Sequence, residues 1–278
     1  MQAGLIESPE VNLYYTKRSA GPMLLILQGG AGNADGSEAL ADRFTVVTYD
    51  RRGLSRSKPL GAEGCELATH AADAGRLIAA LSPEPAFVFG SSIGALIGLE
   101  LAAHHSEHVR LLVAHEPPVY RLLNGAEQEE ALRSHAELHE TFQREGLPAA
   151  MKLMIARSGV DINDREPEVP APLAPAMDPQ SAAQRLADLH QFLAYDVPAV
   201  TRYQPDLGAL TASRSKIVPA IGTGSRSTRP HRCAVAVAEL LGVAAVEFPG
   251  GHTGYILRPK AFAAKLEELF SGRIFNRA

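Results

Sequence analysis

The feature that most constrains the fold of this chain is a regular alternation of short apolar runs with segments of helix length. Each apolar run ends at a glycine or a turn. Such runs are typical of buried strands in parallel sheets. The sequence predicts buried strands at 23–28, 44–49, 86–89, 110–114, 217–221 and 244–248, and an early antiparallel strand at 11–17. The predicted helices are 37–42, 67–81, 93–105, 234–241 and 259–270. Strands that alternate with helices specify an α/β fold with a doubly wound, mostly parallel sheet.

Residues 119–212 interrupt this alternation, because they contain no convincing strand. Apolar residues recur at helical spacing in three segments, 128–145, 148–157 and 182–201. Five prolines lie between residues 164 and 179, a stretch that is therefore predicted to be irregular. We predict an α/β core formed by 1–118 and 213–278. A mostly helical cap, 119–212, is expected at the carboxyl edge of the sheet, where ligands bind in such folds.

Charge and composition indicate which partners the chain meets. Its 27 basic and 31 acidic residues give a net charge of −4 without any Lys/Arg block, so a nucleic-acid partner is not expected. The chain does not start with a basic segment followed by a long apolar one, and the apolar run 23–27 is too short to span a membrane. Cys65 and Cys233 are too few for a disulfide framework. We expect a cytoplasmic protein with a small-molecule substrate and no membrane partner; the sequence indicates no oligomeric state.

Residues 90–94 read Gly-Ser-Ser-Ile-Gly and match the pattern G-x-S-x-G. Five residues alone are weak evidence, but this segment follows a predicted strand and opens a predicted helix. In that setting the central serine is exposed in a tight turn, and the amide at the helix start points toward its hydroxyl. Larger residues in place of the two glycines would collide with the strand or the helix. Ser92 is therefore a candidate nucleophile; the alternative is a plain turn in which Ser92 caps the helix.

Together with four further stretches, this segment resembles the α/β-hydrolase superfamily, and the likeness covers nearly all of the chain. The stretches are 28–32, 49–57, 93–110 and 248–254. The resemblance implies that Ser92 is the nucleophile and that His252, on a glycine-flanked loop after the last strand, is its general base. It also implies that the amides of Gly30 and Ile93 form an oxyanion hole.

Gln28 and Ser91 stand beside these groups in the sequence. The family often has a histidine before the glycine pair, whereas this chain has Gln28 there. The backbone role of the loop does not need that side chain, so Gln28, together with Ser91, is predicted to contact substrate. No metal site is expected, because His104, His105 and His108, at the end of the predicted helix 93–105, do not bring a full ligand set to one face.

The acidic residue that would complete a catalytic triad with Ser92 and His252 is not where the family most often has it. In the family it most often follows the strand that corresponds to 217–221, yet no Asp or Glu occurs from 207 to 238. In some branches, such as haloalkane-dehalogenase-like enzymes, the acid follows the next strand after the nucleophile, which corresponds to 110–114 here. Glu116 holds that position, and Pro117 predicts an extended Glu116 that continues the strand toward Ser92.

The resemblance then implies a serine hydrolase that cleaves an ester, thioester or lactone through a Ser92–His252–Glu116 triad and an acyl-enzyme, without a cofactor. Serine at position 92 argues against alkyl-halide or epoxide opening, which would need aspartate. Asp50, His115 as a polar neighbour, and a Glu116 that only hinges the cap are the alternatives for the acid. Two other functions stay open: a non-hydrolytic lyase, cyclase or natural-product tailoring enzyme, and a ligand receptor derived from a hydrolase.

Overall fold

The computed structural model describes residues 1–32, 43–58, 66–169 and 178–275, which form an α/β structure around one eight-stranded sheet. The strands are β1 (Gln2–Ile6), β2 (Leu13–Arg18), β3 (Met23–Leu27), β4 (Thr45–Tyr49), β5 (Ala86–Ser91), β6 (Val109–His115), β7 (Ile217–Gly222) and β8 (Val246–Phe248). Their order is β1-β2-β4-β3-β5-β6-β7-β8, with β1 and β2 antiparallel and the others parallel. The α/β class and the mostly parallel sheet predicted from the sequence are confirmed.

The edge strand β1 was not predicted. It pairs with β2 in a register that runs from Gln2 opposite Lys17 to Ile6 opposite Leu13. Most of its residues are exposed or half-buried, so no apolar run marks it in the sequence. Edge strands with one solvated face are the strands that hydrophobic patterns identify least well.

Helices flank this sheet. They are α1 (Leu67–Leu81), α2 (Ile93–His104), α3 (Gly125–Glu145), α4 (Leu147–Ser158), α5 (Pro179–Gln191), α6 (Val197–Arg202), α7 (Leu207–Ala212), α8 (Arg229–Leu241), α9 (Gly254–Leu257) and α10 (Pro259–Phe275). The bounds of α1 are those predicted, and the predicted helix 37–42 lies outside the described residues. α8 begins at Arg229 instead of residue 234, because Thr228 caps it through the His231 N–H and Pro230 fits its first turn.

Alternate residues of the central strands face two separate apolar cores. In β3, Leu25 and Leu27 belong to the core that includes α1, α2 and α8, while Leu24 and Ile26 belong to the core that includes α10. α2 is buried on all sides over most of its length, as expected of a helix that is apolar all round. These two layers fix the carboxyl ends of the parallel strands relative to one another.

Helices α3 to α7 lie between β6 and β7, in the region predicted as a cap. The described part of 119–212 contains no strand, as predicted. α5 continues through a π-helical segment, Phe192–Asp196, into α6. Phe142, Leu193 and Val197 belong to a small apolar core within this insertion. The division into core and cap stays a prediction. No helix among the described residues is both long and apolar enough to cross a membrane.

Candidate active site

The turn between β5 and α2 holds Ser92 in an unusual backbone conformation. Ser92 has a φ of 55° and a ψ of −123°, and its N–H donates to the His115 carbonyl at 3.0 Å. Residues other than glycine rarely adopt such angles, and they persist where the surrounding structure imposes them. A Cβ on Gly90 would lie 2.5 Å from the Gly94 oxygen, and one on Gly94 would lie 2.0 Å from the Leu27 oxygen. The turn therefore requires both glycines, and it leaves Ser92 partly exposed.

The loop after β3 lies directly against this turn. A Cβ on Gly29 would lie 3.2 Å from the Ser92 Cβ, and Gly30 has a φ of 53°, which favours glycine. Ile93 is the first residue of α2, so its N–H has no acceptor within the helix and lies at the positive end of the helix dipole. The two residues predicted to donate to an oxyanion thus belong to segments that meet at Ser92.

His252 lies on the loop between β8 and α9, and its ring contacts Glu116. His252 Nδ1 is 2.8 Å from Glu116 Oε2. With the proton on Nδ1, this is a charge-assisted hydrogen bond that leaves Nε2 available as a base. Among the described residues no hydrogen bond joins the Ser92 hydroxyl to the His252 ring. Such contacts often become short only when substrate binds.

Glu116 is completely buried at the end of β6. Its N–H still pairs with the Ala220 carbonyl at 3.0 Å, but its φ is 50°. The extended conformation predicted from Pro117 is therefore wrong. A backbone in this region costs about 1–3 kcal/mol and persists only where surrounding contacts impose it. Here the contacts are those of the side chain, since the turn brings the carboxylate between the loops that follow β7 and β8.

Each oxygen of the Glu116 carboxylate has its own partners. Oε2 faces His252, while Oε1 accepts from the Gly222 N–H at 2.8 Å and from the Ser225 hydroxyl. Burial alone would raise the pKa of Glu116, but the His252 hydrogen bond, the nearby imidazoles and Ser225 together lower it to about 2. Glu116 is therefore a carboxylate at neutral pH, and it can hold one tautomer of His252 and offset a positive charge on its ring.

His115, the residue before Glu116, is also fully buried. It lies against three aromatic rings, those of Phe89, Phe248 and Phe262. Its ring stacks on that of His252 with 6.4 Å between the centroids, and neither of its nitrogens has a hydrogen-bond partner among the described residues. Burial lowers the pKa of His115 to about 4, although Glu116 opposes the shift. His115 is therefore neutral at neutral pH.

Asp50, the alternative acid, is engaged within its own turn. It accepts from the Arg56 N–H at 3.0 Å and from the Arg56 guanidinium. The Gln28 side chain folds over its own loop, since a Cβ on Gly32 would lie 2.3 Å from Gln28 Oε1. Ser91 is 1% exposed, which favours a contact with the protein over one with a substrate.

The sequence prediction missed the groups that hold the backbone carbonyls of residues 28–32, the loop after β3, which we call the oxyanion loop after its predicted role. Arg51 is fully buried and donates to the Gln28 carbonyl at 3.1 Å and to the Gly30 carbonyl at 2.8 Å. Asp196, in the π-helical segment of the insertion, lies 2.5 Å from the same guanidinium. Arg51 belongs to the 49–57 stretch that carried the resemblance, which was a usable signal. Asp196 has no such signal, because nothing in the local pattern marks it as buried.

Two further contacts tie the insertion to the same side of the site. Arg185 donates to the Ala31 carbonyl at 2.6 Å. Asp188 accepts from the Ser55 N–H at 2.7 Å and from the Ser55 hydroxyl. Helix α5 and the π-helical segment that follows it therefore dock on the oxyanion loop and on the neighbouring turn.

The described residues contain no group of three or more His, Cys, Asp and Glu side chains that could hold a metal ion. The histidines near the end of α2 have separate acidic neighbours instead. His104 Nε2 lies 3.7 Å from a Glu100 oxygen, and His108 Nε2 lies 3.5 Å from a Glu107 oxygen. They do not converge on one point.

Comparisons with known proteins agree with this fold. A family model described as the alpha/beta hydrolase fold matches residues 22–153. The uncharacterized hydrolase YraK of Bacillus subtilis (strain 168) is 38% identical over 275 residues, which cover 96% of this chain and 95% of YraK. A thermophilic esterase from Thermogutta terrifontis superposes with a TM-score of 0.74 at 18% identity, over 98% of this chain and 99% of its own.

A carboxylesterase structure from Nitrososphaera gargenis gives a TM-score of 0.70 at 19% identity, over 98% of this chain and 99% of its own. At such low identity the two solved structures support the fold alone. The match to YraK runs almost from end to end of both chains. The family model covers the turn that holds Ser92 and the strands around it. This chain belongs to the α/β-hydrolase family.

Proposed function

We propose that this hydrolase is a serine hydrolase that cleaves an ester, thioester or lactone of a small molecule through an acyl-enzyme at Ser92. The observation that carries the proposal is the His252–Glu116 pair, 2.8 Å apart, beside the strained turn that exposes Ser92. A serine next to a histidine that is oriented by a buried carboxylate is the arrangement that nucleophilic acyl transfer requires.

In the first half of the reaction, Ser92 Oγ attacks the substrate carbonyl while His252 Nε2 takes the hydroxyl proton. Glu116 stays ionised and offsets the positive charge that the imidazole acquires. The carbonyl oxygen becomes an oxyanion that the amides of Gly30 and Ile93 stabilise, and a donor of this kind contributes about 10²–10³-fold to kcat. His252 then gives its proton to the leaving alcohol or thiol, which leaves the acyl group esterified to Ser92.

Water completes the reaction by the same route. His252 takes a proton from a water molecule as the water oxygen attacks the acyl carbon, and the same amides stabilise the second oxyanion. Collapse of this intermediate breaks the bond to Ser92, whose oxygen recovers the proton from His252. The products are a carboxylic acid and the alcohol or thiol that left first; a lactone yields the hydroxy acid.

The insertion is proposed to act as a cap, 119–212, that shapes the substrate site. This is supported by its contacts with the oxyanion loop through Arg185 and Asp196. Gln28 is partly exposed on that loop, so its side chain is our candidate for a substrate contact. Ser91 was predicted for the same role, but its burial makes it the weaker of the two.

Labelling with a fluorophosphonate probe tests the nucleophile. We expect the wild-type protein to be labelled and Ser92→Ala to be unlabelled, because the probe reacts with an activated serine. Ser227→Ala is the matched control, since Ser227 is an exposed serine on the loop after β7 and its loss should leave labelling unchanged. Labelling of Ser92→Ala at the wild-type rate would contradict the proposal. Substrate turnover by a protein that the probe does not label would instead support non-hydrolytic chemistry at the same site.

A further inference from the structure

We infer that Ser225 is a positioning residue for the proposed triad: it holds one oxygen of Glu116 so that the other oxygen faces His252. The inference rests on the proposed roles of His252 and Glu116. Ser225 lies on the loop after β7, a stretch without any acidic residue, and its hydroxyl donates to Oε1 together with the N–H of Gly222, the last residue of β7.

Burial makes these donors important. Glu116 is completely buried, and Ser225 is 1% exposed. A buried carboxylate without hydrogen bonds to both oxygens is strongly destabilised. If only His252 bound the carboxylate, the group could rotate about its last side-chain bond and still keep one contact. Donors on Oε1 remove that freedom, so the position of Oε2, and with it the His252 ring, is determined.

The loop itself fixes the Ser225 hydroxyl. Its oxygen lies 3.0 Å from the Gly222 carbonyl as well as next to Glu116, and its single proton goes preferentially to the charged acceptor. A Cβ on Gly222 would lie 2.8 Å from the Ser225 hydroxyl oxygen and 2.6 Å from the Gly250 oxygen. Glycine at 222 therefore lets the loop after β7 approach both Glu116 and the loop that carries His252.

The other groups that face the carboxylate are imidazoles. His252 binds Oε2, His115 precedes Glu116 in the chain, and His231 Nδ1 lies 3.7 Å from Oε1. Each imidazole attracts the carboxylate more strongly when it is protonated. The Ser225 hydroxyl is uncharged, so its hydrogen bond does not depend on the protonation of a neighbour. It can therefore hold Glu116 in place throughout the catalytic cycle, while the charge on His252 changes.

Kinetics of Ser225→Ala with an ester substrate test the inference, with Ser227→Ala on the same loop as the control. We expect kcat to fall about tenfold, with KM unchanged within about twofold, because a hydrogen bond to a charged group is lost while substrate contacts are kept. In a Glu116→Gln background the same substitution should lower kcat by less than about twofold, because residues that act through one another are not additive. Ser225→Cys, nearly the same size with a weaker donor, should show the same direction of change.

Two kinetic results would overturn the inference. One is an equal fall in kcat in the wild-type and Glu116→Gln backgrounds, and the other is a Ser225→Ala variant with wild-type kcat. A second readout does not depend on catalysis: the NMR signal of the His252 Nδ1 proton, expected downfield in the wild type, should move upfield or broaden in Ser225→Ala but not in Ser227→Ala. If the wild type shows no ester hydrolysis and this signal still responds to Ser225, the proposed function fails while the positioning role stands. An unchanged signal would refute the positioning role itself.

Discussion

The two sides of the candidate site are held by different parts of the molecule. Among the described residues, the hydrogen bonds to the Glu116 carboxylate come from the last residue of β7 and from the loops after β7 and β8. The carbonyls of the oxyanion loop are held by Arg51, which pairs with Asp196 of the insertion, and by Arg185, which belongs to it. The proposed base and acid thus depend on β7 and on loops of the sheet, whereas the proposed oxyanion stabilisation depends on how the insertion docks.

The insertion also forms hydrogen bonds near the Glu116 side of the site, although none of those from its described residues goes to the Glu116 carboxylate. Asp164 lies 2.7 Å from Arg258 Nε, just after α9. The Glu166 carboxylate accepts from the Lys260 and Ala261 N–H groups at the start of α10. These contacts anchor the insertion at a helix end, and within the part of the chain that the structure describes no hydrogen bond links them to Glu116. The two sides should therefore respond differently to substitutions.

Glu116→Gln should have the largest effect on the acid side. It keeps the shape of the side chain but removes the charge that holds the His252 tautomer, so we expect kcat to fall about 10³–10⁴-fold, as in other triads. Asp50→Asn is the control for the alternative acid, and its kcat should stay within about tenfold of the wild type. Steady-state hydrolysis of an ester measures both. Full activity of a well-folded Glu116→Gln protein would leave a Ser–His dyad as the better account.

Asp196→Asn should have the largest effect on the oxyanion side. It leaves the buried Arg51 guanidinium without its counter-charge, which destabilises a protein by about 3–5 kcal/mol. We expect kcat to fall about 10–100-fold with a smaller change in KM, because oxyanion donors act in the transition state. Denaturant unfolding and steady-state kinetics measure the two effects.

The double variant Arg51→Met with Asp196→Leu separates stability from catalysis. Replacing a whole buried ion pair by apolar side chains is often neutral for stability. We therefore expect the double variant to regain much of the unfolding free energy but to keep a low kcat, since Arg51→Met removes the donor to the Gln28 and Gly30 carbonyls. Recovery of both quantities together would show that Asp196 supports the fold and not the oxyanion loop.

Arg185→Ala should have a smaller effect in the same direction. It removes one donor, to the Ala31 carbonyl, while Arg51 still holds the Gln28 and Gly30 carbonyls. We expect kcat to fall about three- to fivefold. Arg144→Ala is the control within the insertion, because Arg144 is exposed and pairs with the neighbouring Glu145. If kcat fell equally in Arg185→Ala and Arg144→Ala, the contact between Arg185 and the oxyanion loop would have no particular importance for catalysis.

The pH dependence of the free energy of unfolding should report on His115, the buried neighbour of Glu116. His115 has its pKa lowered to about 4 by burial, so below its ordinary value of 6.5 the unfolded chain binds a proton that the folded protein does not. The free energy of unfolding should therefore decrease as the pH falls from 6.5 to 4, by about 2 kcal/mol at pH 5 from this group. Urea unfolding at pH 7 and pH 5 measures the slope, which His115→Phe should reduce. If the slope were unchanged in His115→Phe, the loss of stability at low pH would not come from the lowered pKa of His115.

Much of the fold could be predicted from the sequence, and so could the choice of Glu116 as the acidic residue near His252. The buried strands, the glycines around Ser92 and the loop of His252 have local patterns, and the absence of acids from 207 to 238 directed attention to Glu116. In the structure Glu116 does contact His252, although its catalytic role stays a prediction. The strands and the turn around Ser92 could be predicted because they depend on neighbours in the chain, whereas the roles of His252 and Glu116 rest on a family resemblance and stay predictions.

The supporting contacts could not be predicted, for a physical reason. Ser225 is 109 residues from Glu116 in the chain, and Asp196 is 145 residues from Arg51. Contacts of that range follow from tertiary packing and leave no period or motif in the sequence. The positive φ of Glu116 was missed for the same reason, because the local preference of a residue before proline is overridden by the partners of its side chain.

The central claim is that catalysis passes through an acyl group on Ser92, and trapping that intermediate tests it most directly. A slowly hydrolysed ester is mixed with the protein, the reaction is quenched in acid, and the digested peptides are analysed by mass spectrometry. We predict an added mass equal to the acyl group on the peptide that contains Ser92, and no adduct in Ser92→Ala. Turnover without any adduct, or an adduct on another residue, would contradict the account.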